Sequence, residues 1–217
     1  MAIDVLRGRG SGDVVELQEP CNVIEDRTKL EGLIDCEGCE CGDVSNLQIS
    51  AVLKEYKANI KGMNVTLIDS VILETCKTCE RPHITIPDMS GLISAVALSR
   101  VKINYKLSGK EIRFVRNAIG LSSKGLAKYL DVSIETVSRW ENDKAPIGPT
   151  NEKLLLLTAG IALKDVTLGI EFDPREIMDM KIVSIIKPDR ELDMAFQRVK
   201  ISKDNRLQDA YFELKAA

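Results

Sequence analysis

Six cysteines stand at positions 21, 36, 39, 41, 76 and 79. Two spacings among them are chelating: Cys36-x2-Cys39 and Cys76-x2-Cys79, with 36 residues between the pairs. Two such pairs supply the four sulfurs that Zn²⁺ takes at about 2.3 Å in a closed tetrahedral site. Four thiolates leave no open position for water. The expected zinc, one per chain on Cys36, Cys39, Cys76 and Cys79, is therefore structural rather than catalytic. Cys39-x-Cys41 offers another spacing for the first pair, and His83 follows Cys79 closely, so either can replace a thiolate. Ordinary reduced thiols are the competing reading, since cysteine is often just a small buried hydrophobe. A redox dithiol would want its CxxC at a helix start inside a βαβ pattern, which is absent. Cys21 belongs to no pair.

A second constellation occupies residues 108–160. Ser108-Gly109-Lys110-Glu111 is a capping box, so a helix starts there. Ile112, Val115, Ala118 and Ile119 form its expected inner stripe, and Gly120 can end it in the left-handed conformation. Ser122 or Ser123 caps a second helix with Leu126, Ala127 and Leu130 inside. Asp131 falls at the tight turn that follows, where Asp tolerates positive φ better than most residues. Val132 is expected to point inward. Ser133 caps a third helix, Ile134 to about Asn142, with Val137 and Trp140 turned inward. Two short helices joined by a tight turn, the second with a polar outer face, is the helix-turn-helix layout. Beyond Pro146 and Pro149, Thr150 is expected to cap a helix carrying Leu154–Leu157 and ending before Gly160.

The outer face of the third helix holds Ile134, Glu135, Ser138 and Arg139. An arginine there can donate two hydrogen bonds to guanine O6 and N7, worth about 1–3 kcal/mol of discrimination. Glu135 can accept from cytosine N4, and Ile134 or Thr136 can touch a thymine methyl. Lys124, Lys128 and Lys144 suit phosphates, which fix register without reading sequence. The helix start at Ser122 and Ser123 can also donate to a phosphate. Charge supports this reading. The chain as a whole carries −3, yet residues 100–163 carry 11 Lys and Arg against 6 Asp and Glu. Residues 1–99 carry 9 against 16. A basic island in an acidic chain points to a polyanion partner for that island.

The elements that must position these groups give an α+β chain. Residues 1–34 read as a partly ordered arm in which Asp13–Leu17 is a possible strand. Residues 35–87 read as a small β-rich zinc-binding domain. Its runs Ile49–Ile60 and Val65–Thr75 make a hairpin about Lys61-Gly62, with Tyr56, Ala58 and Ile60 on one face and Pro82 and Pro87 closing the unit. Residues 88–106 read as a linker helix started by Asp88 or Ser90. Residues 107–163 are the all-α helix-turn-helix domain. Residues 164–217 read as a β-rich extension with strands at Lys181–Ile186, Ala195–Ser202 and Ala210–Lys215. Aromatics at 4% argue against a single-strand binder that stacks bases. No apolar run has membrane-span length and the start lacks a signal-peptide stretch, so a cytoplasmic protein away from membranes is expected. No acid–base pair, nucleophile arrangement or phosphate-binding glycine loop is visible, and no catalysis is expected.

The stretch LSGKEIRFVRNAIGLSSKGLAKYLDVSIETVSRWENDKAPIGP resembles the Xre and phage-repressor helix-turn-helix class. The two CxxC pairs with the hairpin between them resemble the YgiT-type zinc finger. Their order is similar to that of the MqsA family of antitoxins, over about residues 36–160. The resemblance implies a structural zinc domain that binds an RNA-cleaving toxin. It also implies a homodimer on double-stranded DNA that represses its own operon at a palindromic operator, with Arg139 reading bases. Glu135 stands where the family often has Asn. Residues 1–35 and 164–217 extend beyond the usual family ends. A free-standing repressor without a toxin and a zinc-dependent protein-interaction adaptor are the alternative functions.

Overall fold

The computed structural model describes residues 23–24, 47–78, 80, 82–184, 194–203 and 206–215. The chain divides into two compact units, Met1–Tyr56 with Leu67–Met89, and Lys57–Thr66 with Ser90–Ala217. The expected strand at Asp13–Leu17 lies outside the described residues.

The described residues before Met89 are β-rich; they make up the described part of the first unit together with the Lys57–Thr66 hairpin tip, which clusters with the second unit. Strand β1 (Val23–Ile24) runs parallel to β4 (Pro82–Thr85), and β4 is antiparallel to β3 (Met63–Cys76), with Leu73 opposite Ile84 and Thr75 opposite Pro82. β2 (Leu47–Ile60) pairs with β3 as the expected hairpin. Lys61 and Gly62 both have positive φ, 50° and 96°, the signature of a tight hairpin turn. The Asn59 side chain accepts from the Gly62 amide at 2.8 Å and closes that turn. Along β3 the buried positions are Met63, Val65 and Leu67 before Asp69, then Ser70, Val71, Glu74 and Cys76 after it. Asp69 sits at φ 47°, and beyond this left-handed residue the buried side chains other than Val71 fall on the opposite parity. Pro82 does not close the unit; it begins β4, where a strand's first residue need not donate. Glu74 is fully buried and accepts a hydrogen bond from the Thr85 hydroxyl at 2.7 Å.

In the second unit, α1 (Met89–Val101) buries Leu92, Ala95, Val96, Ala97, Leu98 and Val101 from Ser90 onward. Its Arg100 is fully buried. The guanidinium is ion-paired with Glu111 and donates to the carbonyls of Ile103, Tyr105 and Lys106, so one side chain shapes the whole connection to the next helix. Four helices follow: α2 (Gly109–Ala118), α3 (Ser123–Tyr129), α4 (Ile134–Glu141) and α5 (Pro149–Leu163).

The residues after α5 depart from the expected β-rich extension. Residues 164–184 are turns and a short helix, α6 (Pro174–Asp179), not strand. Asp173 caps α6 by accepting from the Arg175 amide at 2.9 Å, and Pro174 supplies a preset φ at its first position. The expected strand at Lys181–Ile186 is reduced, among its described residues, to one bridge between Val183 and Tyr105. Lys102 donates to the Glu171 carbonyl and Lys153 to the Met178 carbonyl, so this segment lies back along α1 and α5. β5 (Met194–Lys203) and β6 (Arg206–Lys215) form an antiparallel hairpin that takes in both later expected strands.

Two details of α5 differ from the sequence reading. Gly148, not Thr150, is the N-cap, without a side-chain bond, and Pro149 opens the helix. Proline is favoured there because its missing N–H has no partner to lose. The helix also continues through Gly160 to Leu163. A Cβ on Gly160 would lie 2.0 Å from the Phe172 ring, so the glycine admits a ring against the helix rather than ending it.

Candidate nucleic-acid interface

Three serines start the three short helices. Ser108 completes a reciprocal capping box with Glu111. Ser122 accepts from the Gly125 amide at 3.0 Å, so it is the cap and Ser123 is the first helical residue of α3. Ser133 accepts from the Thr136 amide at 3.1 Å and begins α4. Between α3 and α4, Asp131 holds φ at 53°, the left-handed turn that this junction demands. Gly120 takes φ 71° after α2.

The back of α4 is anchored by Val137 and Trp140, both buried. Glu141 lies on the same face, four residues after Val137, and is buried as well. It is ion-paired with Arg116 of α2 at 2.5 Å, and a second contact from Arg116 Nη2 is 3.3 Å. Arg116 also donates to the Leu121 carbonyl at 2.6 Å and to Asn117 at 2.8 Å, so its guanidinium is well supplied with partners. This pair was not singled out in the sequence. The signal was present, since Arg116 and Glu141 each fall at helical spacing from core residues, Ile112 and Val137. In the expected α2 stripe Ile112 and Val115 are buried, whereas Ala118 and Ile119 are only half-buried. Gly109 makes the α2–α4 contact close: a Cβ there would meet the Trp140 carbonyl oxygen at 2.6 Å.

With its back fixed, α4 presents Ile134, Glu135, Ser138 and Arg139 as exposed residues, and Thr136 half-buried with its hydroxyl 3.0 Å from that of Ser133. Glu135 is held below the usual glutamate range by its own backbone N–H and then by the Ser133 hydroxyl, so it stays ionised. The Asn142 side chain donates to the Ser138 carbonyl at 2.7 Å and lies 3.4 Å from the Ser138 hydroxyl. Lys124 and Lys128 are exposed on α3 and Lys144 is exposed just past α4. The fold therefore gathers the DNA-contact residues expected from sequence onto α3, α4 and the turn after it. The arrangement provides an arginine and an acid for base edges and lysines for phosphates.

Near the start of α2 lies a buried acid the sequence did not flag. Glu152 of α5 is fully buried, and its Oε1 accepts from the Leu107 amide at 2.5 Å. Its Oε2 has no hydrogen-bond partner among the described residues. Burial pushes its carboxyl above the ordinary range, against the opposing pull of the Leu107 amide and the nearby Lys106 and Arg100 charges. The folded chain thus holds this proton more tightly than the unfolded chain. Stability from this group is greatest below the ordinary glutamate value of about pH 4.3 and is lost as pH rises through the folded value. Glu152→Gln is expected to flatten that fall. Melting temperatures of both proteins followed upward from about pH 4 check it; parallel profiles would count against it.

Of the expected zinc ligands, Cys36, Cys39 and Cys79 lie outside the described residues. Cys76 is buried at the end of β3, and a turn follows it, closed by the Glu80 amide donating to the Cys76 carbonyl at 2.9 Å. Cys21 and Cys41 are outside the described residues, and His83 pairs in backbone register with Glu74. Among the described residues no helix is long and apolar enough to cross a membrane.

The helix-turn-helix family model matches residues 112–161, from within α2 to within α5. No curated protein and no solved structure matches the chain. Residues 112–161 are a helix-turn-helix domain of the Xre type, and the chain that carries it is a DNA-binding regulator of transcription.

Proposed function

We propose that this chain reads a palindromic operator as a homodimer, with α4 in the major groove and Arg139 as the principal base-reading residue. The observation that carries the reading is the exposed outer face of α4, backed by buried Val137, Trp140 and Glu141. Two copies would place their recognition helices about 34–36 Å apart, one turn of duplex. Leu154 and Ile161, seven residues apart on α5, are exposed apolar side chains that favour association of two copies. We further propose that Cys36, Cys39, Cys76 and Cys79 hold one structural zinc. The turn after Cys76 supports this, because a CxxC pair needs the chain to reverse between its sulfurs.

The antitoxin reading, in which the zinc domain binds an RNA-cleaving toxin and the dimer represses the operon encoding both, rests on the order of the two motifs. A small basic RNase-like protein encoded in the neighbouring reading frame would support it. Its absence would favour a free-standing repressor.

The division of labour is testable by anisotropy titration on duplex DNA. Lys124→Ala, Lys128→Ala and Lys144→Ala are each expected to weaken all sequences alike and to make the slope of log K against log salt shallower by about 0.9. Unchanged slopes in all three would remove the lysines from the interface.

A further inference from the structure

Residues 106–109 hold the chain leaving the recognition helix at two points. The Lys106 ammonium donates to the Ile147 carbonyl at 2.9 Å, and the Gly109 amide donates to Asp143 Oδ1 at 2.6 Å. These bonds bracket residues 143–147, and Lys144 lies inside the bracket. The start of this loop is also folded locally. Asp143 is left-handed at φ 53°, and the amides of Lys144 and Ala145 both donate to the Arg139 carbonyl, at 2.8 and 3.3 Å. The end of α4 is thereby capped by the backbone that follows it.

Asp143 is an exposed acid on the same loop as Lys144, in the basic island that carries Lys124 and Lys128. A carboxylate beside phosphates is repelled by them, so its charge opposes duplex binding. Its other property is the bond it makes to the first residue of α2, which joins the loop to an element 34 residues earlier.

The geometry points to Asp143 as a positioning residue for duplex binding. Its side chain ties the α4–α5 loop to the start of α2, and so fixes Lys144 and the end of α4, where Arg139 stands. This deepens the DNA-binding reading and rests on it. The residue holds the contact groups and touches no base.

Two substitutions separate positioning from charge. Asp143→Asn removes the charge but keeps an acceptor and a tolerance of positive φ. Asp143→Gly keeps the backbone conformation and removes both charge and acceptor. The probe is a duplex selected by the unaltered protein from a random-sequence pool. Asp143→Asn is expected to bind at least as tightly as the unaltered chain. Asp143→Gly is expected to bind about tenfold more weakly, with a salt slope shallower by about 0.9 for one lost phosphate contact. Amide exchange at Gly109 reads the tie without DNA: faster in the glycine variant, protected in the asparagine variant. Equal binding by the two variants, or weaker binding by Asp143→Asn than by the unaltered chain, overturns the proposal. If the unaltered protein selects no duplex, the DNA reading fails and this inference with it. Exchange at Gly109 would still report whether the tie exists.

Discussion

Glu141→Ala is expected to destabilise the helical unit by about 3–5 kcal/mol, the usual cost of removing one partner from a buried ion pair. The loss is large because Arg116 would keep its charge inside, with side-chain exposure of only 9%. It would retain the Leu121 and Asn117 contacts but no carboxylate. Against a typical domain stability of about 5–15 kcal/mol, this removes a large share. Urea melts of the two proteins provide the measurement. Replacing Arg116 and Glu141 together by apolar residues of similar volume is expected to be far milder, since no charge is then left buried. A single variant within about 1 kcal/mol of the unaltered chain would show that the pair does not hold α2 to α4.

Removal of the proposed zinc carries the other large expected effect. Structural zinc binding in zinc-finger peptides has an apparent free energy of about 10–16 kcal/mol, and that energy is folding energy. A β unit of the size expected for residues 35–87 has a thin core and depends on such a staple. Treatment with a strong chelator, or Cys76→Ser, is expected to release about one zinc per chain and to melt the β-rich unit. Metal analysis and far-UV circular dichroism are the readouts. A folded protein purified without zinc, or a Cys76→Ser variant that keeps its metal, would refute the four-thiolate site.

Local signals in the sequence were strong where capping and periodicity agreed. Ser108, Ser122 and Ser133 each start a helix, Asp131 takes the left-handed turn, and Lys61-Gly62 turns the hairpin. Val137 and Trp140 are inside because helical spacing puts them opposite Arg139. What the sequence left illegible, whether misread or simply unmarked, rests on residues whose role depends on a distant partner. Gly160 resembles a helix stop, yet it is helical because Phe172 packs on it. Arg116 and Glu141 look like surface charges until each is found to neutralise the other. Glu152 reads as an ordinary first-turn acid, but its partner is the Leu107 amide. The Lys181–Ile186 run has strand composition, and its described part makes only the bridge at Val183. The helix at Pro174–Asp179 did carry a local signal, an Asp-Pro start, that the apolar pattern obscured.

Whether the outer face of α4 reads duplex DNA is decided by selection from a random-sequence duplex pool. The unaltered protein is expected to enrich a two-fold symmetric site with a guanine at one position of each half. Arg139→Ala, exposed and so unchanged in melting temperature, is expected to lose that guanine preference, a discrimination of about 1–3 kcal/mol, while still binding duplex. Enrichment of the same site by both proteins, or of no site by the unaltered one, would remove α4 as the base-reading helix.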